Sequence, residues 1–453
     1  MITRTTELKR LEQLYLEPGN NLVFMYGNRG SDKELLLRLL SRDKASFYYR
    51  ARKCSDEKQL LFLKSEVTKR FDATLAKDTF DECFTRMKSE GGQKLVVIID
   101  EAQNAMKKEG AILESIMKLK SKKLYPGPVM IVIASSSIVF SERLIEEIKG
   151  EHPKAIDDII KLEDMNFLDV VRAFPEYSVA DCVSTYGIIG GVASYLNRWN
   201  GKKTIKENVC NNILRPTGFL HEEADNLIGS ELRELGVYNT ILSSIAAGNE
   251  KLNDLFEDTG YSRAKISVYM KNLAAFDIIK KVVSFETGGW DNAKKGVYAI
   301  ASPYVNFWFT FVYPHMSDIY TMTAEEFYDV HIAPGLNEYL SKYFSDVCRE
   351  YLELLNKVDK LPIKLEKTGT WVGKNGVIDV IAQNSVRENL VGICNWSEEK
   401  MPYEAYENLL SNMKKAMISA KNIYLFSATA FDSKLVDLAN SDSKVTLIDM
   451  TEL

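Results

Sequence analysis

Leu22-Val23-Phe24-Met25-Tyr26-Gly27-Asn28-Arg29-Gly30-Ser31-Asp32-Lys33-Glu34 is the stretch on which the fold turns. Five apolar residues read as a buried strand. The strand runs straight into a glycine-bearing loop, and a leucine-rich run with helical spacing, residues 33–40, follows. This is the setting of the phosphate-binding pattern GxxxxGK[ST]. In a working loop of that kind, backbone N–H groups and the helix N-terminus hold the phosphates. The lysine bridges the β and γ groups, and the hydroxyl ligates magnesium. Gly27 and Lys33 stand at the required spacing, but the second glycine has become Asp32 and the hydroxyl residue Glu34. The loop residues Gly27, Asn28, Arg29, Gly30, Ser31, Asp32, Lys33 and Glu34 are the candidate nucleotide contacts, with Glu34 a candidate magnesium ligand in its own right.

A second stretch, Leu95-Val96-Val97-Ile98-Ile99-Asp100-Glu101, has the form of the acidic strand that accompanies such loops. Asp100 at the end of a buried strand is placed to reach magnesium, and Glu101 beside it to activate water. Taken alone, the same residues read equally as a buried strand followed by a solvated acidic turn. The strand expected at Val129–Ala134 ends in Ser135-Ser136-Ser137, which puts a polar residue, Ser135, where a γ-phosphate sensor belongs. Two acids near the phosphates have a definite cost. Like charges about 4 Å apart at an effective dielectric near 20 repel by about 4 kcal/mol. Asp32 and Glu34 therefore weaken nucleotide binding unless Glu34 takes the cation itself.

Outward from this core, residues 46–50 and 159–162 complete a set of short apolar strands alternating with helical stretches such as residues 58–70. That alternation is the signature of a parallel sheet covered by helices. Residues 167–199 read as mostly helical, a lid after the sheet. Beyond them come three short helices (237–246, 251–259 and 263–276), the last capped by Ser262. Two strands follow, 278–286 and 296–300, around a Gly288-Gly289 turn, which is a winged-helix order. The aromatic run Tyr304–Tyr313 is expected to pack internally, because exposed it would aggregate. A long helix (337–357) then leads into strands at 377–383, 389–394, 423–427 and 445–449, with helices at 404–420 and 432–440. The division expected is 1–205, 206–315 and 316–453.

Composition narrows the function classes. With 45% hydrophobic and 27% charged residues, the 453-residue chain is ordinary for a multidomain globular protein. The formal charge of -5 supplies no global attraction to nucleic acid. Residues 262–295 nevertheless hold seven basic against three acidic residues. Arg263, Lys265, Lys271, Lys280 and Lys281 are the candidate nucleic-acid contacts there, with Lys294 and Lys295 on the wing; a solvated face or a protein-docking module reads the same. Six scattered cysteines and four scattered histidines give neither a disulfide framework nor an obvious metal site. No signal-like N-terminus or apolar run of about 20 residues appears, so a cytoplasmic protein without membrane partners is expected.

These motifs together resemble the archaeal and bacterial ATPases of the STAND class, a branch near the AAA+ proteins, which carry a winged helix and a C-terminal nuclease-like domain. The likeness spans essentially the whole chain. It includes Arg4, Glu7-Leu8, the loop at 27–34, Ile99-Asp100-Glu101 and Tyr186-Gly187-Ile188-Ile189-Gly190-Gly191-Val192 with Tyr195-Leu196. It continues through Glu231-Leu232-Arg233, Tyr238, Phe307-Trp308-Phe309 and Ile378-Asp379-Val380-Ile381-Ala382. The resemblance implies an α/β fold: a P-loop NTPase parallel sheet with a helical lid, a winged helix, and an α/β restriction-endonuclease-like domain. It implies ATP and magnesium as ligands. Members keep an intact GK[ST] and a basic Gly-Arg segment before the fifth strand, and neither is evident here. In the C-terminal part, similar to the PD-(D/E)xK nucleases, only Asp379 of the catalytic acids remains. Val377 replaces a glutamate, and Ile393 and Asn395 replace the acid and lysine. The acid expected on the first helix aligns with Ser345, so Asp379 is vestigial. The reading that follows is a nucleotide-switch or scaffold protein whose ATPase and nuclease-like sites have both decayed. The alternatives are a slow magnesium-dependent ATPase and a DNA-binding regulator acting through the winged helix.

Overall fold

The computed structural model describes residues 4–106, 110–229, 232–285, 296–373 and 376–452. By internal contacts these form two compact units. One comprises residues 1–164 with 192–194, and the other residues 165–191 with 195–453.

The first unit is built on five parallel strands: β1 (Asn21–Tyr26), β2 (Ser46–Arg50), β3 (Leu95–Asp100), β4 (Val129–Ser135) and β5 (Asp158–Lys161). Their order in the sheet is β2-β3-β4-β1-β5. All residues of β1, β3 and β4 are buried, as expected of central parallel strands covered on both faces. Alternation divides them. Leu22, Phe24, Val97, Ile99, Ile131 and Ile133 meet the helices Asp56–Phe71, Ala111–Lys120 and Ile138–Glu151. Val23, Met25, Val96, Ile98, Met130 and Val132 meet Thr5–Leu16 and Lys33–Ser41. Lys94 ends buried beneath the first helix, where its ammonium donates to the carbonyls of Leu14 and Glu17 and to Asn21. A cation there complements the negative end of the helix.

In the second unit, Phe167–Ala173 and Val179–Ile189 both open on capping boxes, Asn166 with Asp169 and Ser178 with Asp181. Helices Leu235–Ala246, Leu252–Thr259 and Arg263–Ala275 precede an antiparallel pair, β6 (Ile279–Val282) and β7 (Val297–Ile300). Ser262 caps the third helix as expected, accepting from Lys265 N. The strand expected to run to residue 286 stops at Val282. Phe285 leaves the ladder, buries its ring in the C-terminal core, and its N–H donates to Thr370 O at 2.8 Å. The Gly288-Gly289 turn, Lys294 and Lys295 lie outside the described residues. The aromatic run is helical and buried, with a π-helical turn at Trp308–Val312.

The helix Ala333–Lys357 packs on a mixed sheet of order β12-β11-β10-β9-β8. The strands are β8 (Lys367–Gly373), β9 (Gly376–Gln383), β10 (Asn389–Asn395), β11 (Asn422–Ser427) and β12 (Val445–Asp449). The β8–β9 and β9–β10 pairings are antiparallel, and β10–β11 and β11–β12 are parallel. The helix expected at 404–420 ends at Ala416, because Met417 turns into the left-handed region at φ 55°. No helix among the described residues is long and apolar enough to cross a membrane.

Candidate functional site

Because β4 lies between β1 and β3, one edge of the sheet presents three strand ends in a row: Asp100-Glu101, Ser135, and the loop after Tyr26. The loop is drawn in tightly. Gly27 N donates to Ser135 O at 3.4 Å, and a Cβ on Gly27 would lie 2.6 Å from Leu162 O. Gly30 has φ +85°, its carbonyl accepts from Ser194 N at 2.9 Å, and a Cβ there would strike Ser194 Oγ and Val192 Cγ1, each at 2.7 Å. Any larger residue at either position forces the loop out. Asn28 and Arg29 are exposed, whereas Ser31 is buried and its Oγ has no hydrogen-bond partner.

Arg4 holds this loop from outside the motif. Its Nε donates to Ser31 O at 2.7 Å, its second guanidinium nitrogen to Glu163 O at 2.7 Å, and Glu7 pairs with it at 3.1 Å. Asp32 occupies the N-cap of helix Lys33–Ser41 at φ 60°, ψ 30°. Lys33 is buried, with Nζ 3.4 Å from Gly27 O. Burial pushes its pKa down, and the carboxylates of Glu101 and Asp100 oppose that shift. Glu34 is exposed and its nearest cation is Arg38 at 3.6 Å.

The acids are more constrained than their sequence position indicates. Asp100 is buried; one carboxylate oxygen accepts from Tyr48 Oη at 2.6 Å and the other from Glu101 N at 2.9 Å. Burial and the Asp100 carboxylate push the Tyr48 hydroxyl pKa far up, so it stays a donor. Glu101 sits at φ 53°, ψ 43°, and accepts from Gln103 Nε2 at 2.5 Å and Ser136 Oγ at 2.6 Å, with Arg50 3.9 Å away. Gln103 Nε2 also donates to Ser136 Oγ at 2.8 Å, which closes a ring of Glu101, Gln103 and Ser136, and Ser135 Oγ joins it by donating to Gln103 Oε1 at 2.8 Å. Arg50, Tyr48, Gln103 and Ser194 carry no motif, and only the strand register and the return of residues 192–194 bring them here.

Phosphate and magnesium fare differently in this frame. Left-handed backbone at Gly30 and Asp32, a helix N-terminus, the buried lysine and an orphan buried hydroxyl retain the form of an anion cradle. Magnesium demands near-octahedral oxygen ligands. Each Asp100 oxygen accepts one hydrogen bond and keeps a lone pair, but position 34 offers no hydroxyl and Glu34 faces solvent, so Asp100 stands as a lone ligand and the residues present do not fit a bound magnesium as arranged.

The other candidates are dispersed. Arg263 lies 4.0 Å over the Phe256 ring and bonds Asn253, Lys265 lies 4.2 Å over Tyr261, and Lys281 lies 5.7 Å over Tyr298. Lys271 and Lys280 are both exposed; crowding by surrounding protein and then the Arg349 charge push the Lys280 ammonium pKa down. Asp379 is largely enclosed on β9, accepts from Cys394 N at 2.9 Å, and has its pKa raised by burial against the pull of Arg349. Arg349 in turn donates to Asp379 O at 3.3 Å, to Thr370 Oγ1 and to Asp346.

Residues 1–198 match the model of an ATPase domain predominantly from Archaea, and residues 308–410 match that of archaeal and bacterial proteins of unknown function. An uncharacterized protein of Methanocaldococcus jannaschii is 27% identical over 384 residues, 84% of each chain. A Walker-type ATPase of Pyrococcus abyssi is similar over 68% of this chain and 96% of its own, at 17% identity and a TM-score of 0.46. The ORC2 protein of Aeropyrum pernix is similar over 71% and 94%, at 10% identity and a TM-score of 0.44. The chain is thus similar over residues 1–198 to an ATPase domain predominantly from Archaea, and over residues 308–410 to archaeal and bacterial proteins of unknown function.

Proposed function

We propose that this protein is a nucleotide-switch or scaffold member of the ATPase lineage whose own site binds ATP weakly and hydrolyses it little or not at all. The observation that carries the reading is the engagement of Asp100. Tyr48 and the Glu101 N–H each take one lone pair of its oxygens and hold the carboxylate in place, while Glu34 faces solvent instead of the cation position and Asp32 and Glu34 bring negative charge to the phosphate end of the loop. The three-part division at 1–205, 206–315 and 316–453 belongs to the same proposal. So do a winged-helix domain at 206–315 that docks protein, and a nuclease-like C-terminal domain left with Asp379 alone and therefore unable to cut. The arrangement Lys33, Asp100, Glu101 and Gln103 supports a second reading, a slow magnesium-dependent ATPase, since those residues remain grouped around the loop.

Thermal unfolding with millimolar ATP and magnesium tests the choice. Stabilisation follows RT ln(1 + [L]/Kd), so a weak site gives little shift. A shift of several degrees that disappears in Lys33→Ala, with phosphate release lost in the same variant, would establish the slow ATPase instead.

A further inference from the structure

The four histidines are far apart in sequence, yet the fold brings two of them face to face. His315 closes the 3-10 turn Tyr313–His315, Asp318 opens the turn Asp318–Tyr320, and His331 lies in the π-helical turn Tyr328–Ile332 that feeds the helix Ala333–Lys357. The imidazoles of His315 and His331 stack with centroids 3.9 Å apart and planes 20° apart. His331 Nε2 is 2.9 Å from Asp318 Oδ2 but not in hydrogen-bond geometry, and it is buried without a partner. The fully buried ring of Phe327 walls the cluster 4.8 Å from His331. One potential ligand atom from each of His315, Asp318 and His331 falls within 4.8 Å of the others.

An ion pair explains only half of this. It accounts for His331 beside Asp318, but not for the second imidazole stacked on the first, nor for a buried ring nitrogen aimed off the carboxylate. Two stacked imidazolium ions would repel, whereas neutral imidazoles, the form a metal binds, stack without that cost. Zinc bonds of 2.0–2.2 Å to nitrogen and oxygen put tetrahedral ligand atoms about 3.3 Å from one another. The observed cluster brackets that separation; because a lone pair lies in its ring plane, the two rings must turn out of their stack to share one ion. π-Helical turns of this kind concentrate at functional sites because they spend backbone stability to re-aim a side chain.

We propose that His315, Asp318 and His331 form a zinc site, two imidazole nitrogens and one carboxylate oxygen with water in the fourth position. The ion staples the end of the aromatic helix at 303–315 to the start of Ala333–Lys357. The site owes nothing to the nucleotide loop and stands whether or not ATP binds.

The test uses the full chain stripped by a chelator and titrated with Zn2+ against a chromophoric competitor, with Co2+ absorption as a spectroscopic probe. A single Zn2+ per chain, a raised melting temperature, and the visible bands of a low-coordinate Co2+ are expected in the wild type. Asp318→Asn keeps shape and volume, and His331→Gln keeps a polar group in place. Each should weaken binding by more than about a hundredfold, beyond the loss typical of groups standing behind the ligands. Stoichiometric binding unchanged in both variants, or no Zn2+ binding by folded wild type, overturns the site. If Asp318→Asn lowers the metal-free melting temperature while the wild type ignores Zn2+, the cluster is an ion pair only.

Discussion

At the residue Asp32, the chain keeps the backbone of a phosphate loop while changing its chemistry. An L-residue in the left-handed region costs about 1–2 kcal/mol, and Asp is among the few that tolerate it. A carboxylate at a helix N-terminus returns about 0.3–1 kcal/mol. The substitution is therefore nearly neutral for the fold, and its cost falls on an anionic ligand. Asp32→Gly with Glu34→Thr should then restore ATP binding more than either change alone. The two side chains act on one ligand, so their effects should be coupled. Titration calorimetry of the wild type, both single variants and the double variant measures this. A double variant that binds no better than the wild type rejects charge repulsion as the defect and leaves Tyr48 on Asp100 as the barrier, which Tyr48→Phe would then remove. Asp379 offers a test with a definite sign. Burial raises its folded pKa above the ordinary 3.8, so the folded state binds more protons than the unfolded chain as pH rises from about that value. Stability from this group is present at low pH and is lost as pH climbs through the folded pKa. Asp379→Asn, which can still accept from Cys394 N, should raise the melting temperature at neutral pH and flatten the profile on the acid side. A pronounced drop at neutral pH would mean that pairing with Arg349 outweighs desolvation.

Elements were legible wherever one apolar period dominated. Strands β1, β3 and β4 announced themselves as short buried runs, β2 and β5 as short apolar segments that prove to be part-exposed sheet edges, and Lys33–Ser41 and Arg263–Ala275 by helical spacing with an identifiable start. Strand β8 did not, because Lys-Thr-Gly-Thr-Trp-Val-Gly is a half-exposed edge strand with two glycines and an irregularity between Gly369 and Trp371. The candidate site divided in the same way. Loop, acids and Ser135 lie on strand ends that sequence pattern locates, whereas Tyr48, Gln103 and Arg4 reach them through register and tertiary return, which no local period encodes. Phe285 was misassigned for a related reason: an aromatic after a strand reads as more strand, but its ring fills the core of another sheet. Gly369 leaves the room, since a Cβ there would lie 2.9 Å from the Phe285 ring. Phe285→Ala should cost about 3–5 kcal/mol in the unit that holds it. Chemical denaturation followed by tryptophan fluorescence reads the loss, and a change under 1 kcal/mol would place the ring outside the core.

For the whole molecule, the question is what a local basic surface can do on a chain of net charge -5. Nucleic-acid affinity without base readout comes from phosphates neutralised, and each contact contributes about -0.9 to the slope of log K against log salt. The five described candidates would give a slope near -4.5 if all engaged. They do not present themselves equally. Arg263 and Lys265 lie over aromatic rings and Lys281 over Tyr298, while Lys280, exposed on β6, shares its surroundings with the Arg349 charge. Past β6, Ser284 and Phe285 bond to Val372 and Thr370 of β8, so the strand that would lead into a wing is committed to protein. The expected outcome is weak binding to duplex DNA, weaker than about 10 µM near physiological salt, with a slope no steeper than about -2 from the residues left free. Fluorescence anisotropy of a labelled duplex between 50 and 200 mM salt gives both numbers. Nanomolar affinity with a slope near -4, reduced by about one on Lys271→Ala and again on Arg263→Ala, would instead identify this surface as a nucleic-acid interface and make the docking reading of the three-helix module wrong.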